Sequence, residues 1–223
     1  MSRTLLIYRL LFSFCLVAVA QPPAEMEKAS SAVSFTLDFP ESQPEHYTIR
    51  VPSAGPAHYE SSGRLTQDSG DTDSFHFDFT VSTETRAKIF ALAAKAAFFQ
   101  KDADAHRKNM AFTGKKTLRY TDESRSGETT YNYSSNAAVQ EITSLFQNLS
   151  ATLEFGHRLD YDRRYQKLAL NEELKRMQEM AQGNMLVEVA AIQPILEQIV
   201  ADQSVINVAR ARAQQLLKDP AAR

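Results

Sequence analysis

Ser74-Phe-His-Phe-Asp-Phe-Thr-Val-Ser82 and the Thr83-Glu-Thr-Arg-Ala-Lys-Ile-Phe-Ala-Leu-Ala-Ala-Lys-Ala-Ala-Phe-Phe99 that follows it decide the fold class. In the first part Phe75, Phe77, Phe79 and Val81 alternate with His76, Asp78 and Thr80, the two-residue period of a strand with one buried face. The period then lengthens. Thr85, Ile89, Leu92, Ala96 and Phe99 recur every three or four residues, and Phe90, Ala93 and Ala97 widen the stripe, as on one side of an α-helix. Ser82 stands at the N-cap position, and Glu84 puts negative charge in the first turn, where the helix dipole favours it. A strand running into an amphipathic helix yields two apolar surfaces that bury each other. The stretch is therefore expected at the centre of a small sheet-plus-helix domain.

Upstream, Phe35, Leu37 and Phe39 alternate as far as Pro40, and Tyr47, Ile49 and Val51 as far as Pro52. Ser53-Ala54-Gly55-Pro56 is a turn, Ala57 to Ser61 a third strand, and the Ser/Gly/Asp-rich Ser62 to Asp73 an expected mobile loop. Downstream, Gln100 to Asn109 is polar and exposed, and Lys115 to Tyr120 pairs with Thr129 to Tyr133 around a loop at Asp122 to Gly127. Ser135 or Asn136 caps a helix carrying Val139, Ile142, Phe146, Leu149 and Leu153, which Gly156 is expected to stop.

Beyond Arg158 the strand signal vanishes. Tyr161, Tyr165 and Leu168, then after a phase slip Leu170, Leu174, Met177 and Ala181, mark a long helix ended by Gly183-Asn184. Met185, Val189, Ile192, Leu196 and Ile199 form a further stripe that Pro194 kinks or restarts, and Asp202 or Ser204 is the expected cap of a last helix with Val205, Ala209 and Leu216. The expected fold is α+β. A small antiparallel sheet packs on one or two helices over residues 33–156, and an all-helical C-terminal region, a hairpin or three-helix unit, covers 157–218.

The first 20 residues read as a targeting segment. Arg3 and Arg9 precede the apolar Leu10 to Val19, and Ala18-Val19-Ala20 offers a cleavage site between Ala20 and Gln21, followed by a flexible leader at 21–32. Export to a periplasm or the extracellular space is expected. Cys15 is the single cysteine and lies inside this segment, so the mature chain would have no disulfide, thiol nucleophile or cysteine metal ligand. Loss of Arg3 and Arg9 takes the formal charge from −2 to −4, which gives no electrostatic footprint for nucleic acid. No later apolar run is long enough for a membrane span. With 13 Phe and no Trp, phenylalanine is expected to fill much of the core.

Tyr47-Thr48-Ile49, Gly55, Tyr59-Glu60, Thr85 to Phe99 with its Phe98-Phe99 end, and Thr117-Leu118-Arg119-Tyr120 follow a pattern. In these residues the chain, over roughly 45–133, resembles an uncharacterised α+β domain of secreted bacterial proteins. The resemblance implies a secreted accessory domain and carries no known activity, so it assigns no functional residue. Ile199 to Leu217, with Asp202, Val205, Arg210 and Ala213, looks like one helical repeat of the HEAT type. A solenoid requires several stacked repeats.

The sharpest chemical candidate comes from strand parity. If Tyr47, Ile49, Val51 and Tyr59 face inward, then His46, His58, His76 and Asp78 share the outer sheet face, with the donor types of a zinc or similar site. The plain alternative is a solvated sheet face that carries polar residues, and no His-x-His or His-Glu-x-x-His spacing supports a metal. A Gly-x-Ser-x-Gly elbow, a P-loop and a dinucleotide fingerprint are all missing from the sequence. Asp71/Asp73 and Asp102/Asp104 sit in polar loops rather than across a cleft. Tyr120, Tyr131 and Tyr133 suit strand packing better than an aromatic binding patch. Asp160 to Tyr165 reads as a salt-laced helix face, Glu172 and Arg176 as an i,i+4 pair, and Arg210 and Arg212 as lying on different faces. Asn132-Tyr133-Ser134 and Asn148-Leu149-Ser150 match the glycosylation pattern.

Three functional readings follow, and no cofactor is expected for the first. The first is an exported, non-enzymatic accessory protein whose helical tail contacts another protein or a second copy, its long apolar stripes supplying the surface. The second is a metal-binding protein or metal-assisted hydrolase using the histidine face. The third is a carrier of a small apolar ligand held between sheet and tail.

Overall fold

The computed structural model describes residues 31–64 and 72–218. The expected targeting segment with its Ala20–Gln21 junction, most of the expected leader and the middle of the Ser62–Asp73 stretch lie outside the described residues. Six antiparallel strands make one sheet: β1 Ala32–Asp38, β2 His46–Pro52, β3 Ala57–Arg64, β4 Thr72–Phe79, β5 Lys115–Thr121 and β6 Ser126–Tyr131. Their order is β4-β3-β2-β1-β5-β6. Two helices, α1 Thr83–Lys95 and α2 Ala137–Tyr165, follow β4 and β6, and α3 Leu170–Gln182, α4 Gln193–Ala201 and α5 Asn207–Lys218 complete the chain. The α+β class, the antiparallel sheet and the helical C-terminal region are as the sequence predicts.

Strand parity is also as predicted. Phe35, Leu37, Tyr47, Ile49, Val51, Tyr59 and Leu118 are buried on one face, which α1 and α2 cover, and Phe35 stacks on Phe146 of α2 at 5.4 Å. The other face is polar, with Thr36 paired to Thr48 and Thr117 to Thr130 through their hydroxyls. The strand that opens the deciding stretch is not at the centre of the sheet, however. β4 is an edge strand and Phe75 and Phe77 are only half-buried, while β1 pairs on both sides, with β2 and β5. It is α1 that crosses the covered face to carry the chain from β4 to β5.

Both caps are side-chain caps. Ser82 Oγ accepts from the Thr85 N–H (3.2 Å), and Asn136 Oδ1 accepts from the N–H groups of Ala138 and Val139. After α1 the chain makes a tight 3₁₀ turn at Ala97–Phe99 with all three residues at positive φ. There the carbonyl of Phe98 abuts Gly127, where an added Cβ would lie 2.1 Å away.

Gly156 does not stop α2. The helix runs 29 residues, about 44 Å at 1.5 Å per residue, against about 23 Å for a seven-residue strand. From Leu149 to Gly156 nearly every residue is buried, so this middle section is enclosed on all sides. The phase slip after Tyr165 is a break at Gln166–Ala169, and Pro194 begins a new helix rather than kinking one. Asp202 and Ser204 do not cap α5, which starts at Asn207. Asp202 instead closes the α4–α5 turn by accepting from the Ser204 N–H and hydroxyl.

The helical region is docked, not appended. Leu170, Leu174, Met177, Leu186, Val189, Leu196, Ile199, Ala209 and Ala213 are all buried. The Val187 N–H donates to Thr152 Oγ1 (3.2 Å), and Arg158 Nε donates to Glu173 Oε1 (2.5 Å). Glu173 also takes Arg176 (3.4 Å), while Glu172 accepts from Asn171, so the expected Glu172–Arg176 pair is replaced by a neighbour. Glu188 reaches back to the start of α1, accepting from the Ser82 N–H (3.0 Å) and hydroxyl (2.5 Å).

Candidate functional site

The outer sheet face holds the predicted histidines in separate pairs. β3 and β4 align His58 with Asp78 and Glu60 with His76. His58 Nδ1 lies 2.6 Å from Asp78 Oδ1, and His76 Nδ1 lies 3.8 Å from Glu60 Oε1. His46 belongs to the far end of the sheet. It faces Ser62, four residues along β3 from His58 and so about 13 Å away, and pairs with Asp38 at 2.5 Å. Among the described residues no group of three or more His, Cys, Asp or Glu converges as metal ligands must.

Of the tail stripes expected to form a partner surface, the members from Leu170 to Ala181 and from Val189 to Ile199 face inward. What stays exposed is a corner, Tyr161, Tyr165 and Leu168, at the junction of α2 and α3, together with Met185, Ile206 and Val208. Tyr120 and Tyr131 are buried. The Tyr131 hydroxyl meets Thr143 Oγ1, and Tyr120 donates to Asp122 (2.9 Å). Asp160 pairs with Arg163 and Arg164 as its spacing predicts. Arg210 and Arg212 diverge, to Asn207 and to Asn171 with Gln178. The Asn132 amide is already engaged, donating to Ala111 and accepting from Thr113, and Asn148 lies within α2.

One concavity lies beside the sheet edge. Phe75 and Phe77 of β4 form one wall, Leu153 and Gly156 of α2 the floor, and Ile192, Pro194 and Ile195 at the start of α4 the other wall, enclosing about 330 Å³. This is where the sheet meets the helical region. Phe77 stacks between Phe75 (5.8 Å) and Phe79 (6.3 Å), and Phe75 stacks on the His157 ring at 4.2 Å. The wall exists because β4 has no strand on its outer side, so its half-buried phenylalanines are covered only in part, Phe75 by His157 of α2 and the rest of the groove by the start of α4.

Polar groups at the rim are spent on each other. His157 Nε2 lies 2.6 Å from Asp73 Oδ2, and Arg164 Nη2 lies 2.5 Å from Asp160 Oδ2. The groove thus presents hydrocarbon and aromatic surface, and each charged group at its rim has a partner. Among the described residues that line it, none is a Ser, Thr or Cys.

A second concavity of about 310 Å³ opens at another side of α2, between the β1–β2 loop and α3. Its wall contains Glu154, a carboxylate only 8% exposed. The Tyr59 and Ser61 hydroxyls both donate to Oε1 at 2.7 Å, and the Tyr59 oxygen also lies 2.9 Å from Ser150 Oγ. Burial, and after it the Glu154 charge, push the Tyr59 phenol well above its ordinary range, so it remains a donor. A third, smaller hollow near the N-terminus of α2 is polar, and its Asp102 and Asp104 are taken up by loop N–H groups and His106.

His157, Arg164 and Glu154 do not stand out as site residues in the sequence. Glu154 leaves one trace, a charge between Leu153 and Phe155 beside the apolar stripe of a long helix. His157 leaves none, because its partners Asp73 and Phe75 are about 80 residues away. No family model, no curated protein and no solved structure matches this chain.

Proposed function

We propose that this is an exported, non-enzymatic protein that holds a small uncharged apolar molecule in the groove between β4, α2 and α4. One observation carries the reading: an aromatic and aliphatic groove of about 330 Å³ at the sheet–helix junction, with every charged rim group internally paired. Sites for small ligands have this size and lining, with polar groups few and fixed. A charged ligand would have to displace Asp73 or Asp160 from its partner. An apolar one displaces only water. Support for export comes from the sequence of the first 20 residues.

The test uses the fluorescent apolar probe N-phenyl-1-naphthylamine on the purified protein. Saturable one-to-one binding is expected, weakened at least tenfold by Ile195→Trp within the groove or Gln198→Trp at its exposed rim. Native mass spectrometry would show a copurified neutral ligand leaving with the same variants. No saturable binding, or binding indifferent to both substitutions, sinks the groove as the site. The export reading stands or falls separately, on whether the intact mass of protein from its own host begins at Gln21 or retains Met1.

A further inference from the structure

We propose that the second concavity binds a small organic cation through Glu154, a site that goes beyond the apolar groove and does not depend on it. Glu154 is more than nine-tenths buried, yet it lines a cavity of about 310 Å³. Taking a carboxylate out of water is costly unless a cation accompanies it. None of the ion pairs among the described side chains includes Glu154. The cation nearest to hand, Arg158, lines the same cavity but directs Nε to Glu173 Oε1 (2.5 Å) and lays its guanidinium over the Phe155 ring at 4.8 Å.

The hydrogen bonds alone do not explain a glutamate here. Both donors, Tyr59 and Ser61, end on Oε1, and the carbonyl oxygen of a glutamine could accept the same two bonds with a far smaller desolvation cost. What the carboxylate adds is negative charge in the wall of a cavity. The remaining walls favour a hydrocarbon body behind the charge, with Leu37, Tyr47 and Met180 lining the space and the Gln147 amide at its exposed rim. An ammonium or amidinium group would therefore sit against Glu154 with its alkyl or aryl part among these side chains.

Calorimetric titration of the purified protein with phenethylammonium, 2-phenylethanol and phenylacetate tests this, since they place a cationic, a neutral and an anionic group on closely similar phenyl bodies. The ammonium is expected to bind at least tenfold more tightly than the alcohol, and phenylacetate not to bind. Glu154→Gln should abolish the preference while leaving the fold intact. Gln147→Trp, which touches neither Tyr59 nor Ser61, should block the ammonium even if the first variant fails to fold. Equal affinity for ammonium and alcohol, no binding of either, or a preference that survives these substitutions overturns the proposal. Gln198→Trp in the other groove should change none of these results, which keeps the two sites separable.

Discussion

At Gly156 the sequence invites the wrong physical reading. A glycine after an apolar helical run is commonly a C-terminal stop, but here it is a point of close approach: an added Cβ would lie 2.5 Å from Cγ2 and 3.1 Å from Cβ of Ile192. Two effects oppose each other in Gly156→Ala. Helix propensity favours alanine by about 1 kcal/mol, while overpacking a stiff β-branched neighbour costs about 1–3 kcal/mol. Overpacking should win, with a net loss of up to about 2 kcal/mol in urea denaturation. Ile192→Ala removes the obstructing methyl, so in that background Gly156→Ala should become neutral or stabilising. A double-mutant cycle with no coupling between the two sites would refute the contact. The caps were legible because they are local: Ser82 and Asn136 each act within three residues. Gly156 and Glu154 were not, because what decides their roles comes from Ile192 and from Tyr59 and Ser61, distant in sequence.

Among elements, period reveals which way a strand faces but not which strand lies beside it. The alternation in β1, β2 and β4 gave parity correctly, and with it the outer placement of His46, His58, His76 and Asp78. It could not tell that β4 is an edge or that His46 is rows away from His58; the groove turns on that neighbour order, and the metal idea on the register of β2 against β3. The helical connections show the same division. Glu188 accepts, from across the molecule, the N–H and hydroxyl of Ser82, the residue that caps α1. Glu188→Ala should cost about 1–2 kcal/mol, the range for losing a charge-assisted cap with water free to reach the exposed Ser82, and should speed hydrogen exchange in the first turn of α1 before that of α2. Equal protection in both proteins would rule out this link.

The α4–α5 turn is fixed to the end of α2 by Lys167, whose Nζ lies 2.8 Å from Asp202 Oδ2. That lysine, and then the Ser204 hydroxyl and N–H, hold the Asp202 carboxyl well below the usual carboxylate range. A carboxyl that ionises more readily folded than unfolded adds stability above its unfolded value of about 3.9, and the gain fades as pH falls from there toward the lower folded value. The stability difference between wild type and Asp202→Asn should therefore be constant above about pH 5 and shrink below about pH 4. A difference that widens on acidification would contradict the linkage.

On the scale of the whole molecule, α2 is the member that sheet and tail share. Its first half carries Val139, Ile142 and Phe146 onto the sheet, its middle is enclosed, and its later turns receive α3 and the Ile192 segment. The sequence made both sets of apolar stripes visible, and therefore the layers, but not that the stripes consume each other. A stripe says that a surface must be covered without saying by what. If they do, the sheet and the helical region cannot melt independently. Tyr47, Tyr59, Tyr120 and Tyr131 are buried in the sheet layer and there is no tryptophan, so near-ultraviolet dichroism reports that layer, while the signal at 222 nm is dominated by the helices. The two should trace one transition with a common midpoint in urea. A chain ending at Gln166 should lose both signals' cooperativity, because Leu153, Phe155 and Leu159 would be left facing water on a helix that has lost its cover. Two resolved transitions in the full chain, or a truncated chain that still melts sharply, would mean that the helical region is an accessory to an independently stable sheet domain, and the groove between them a seam that opens.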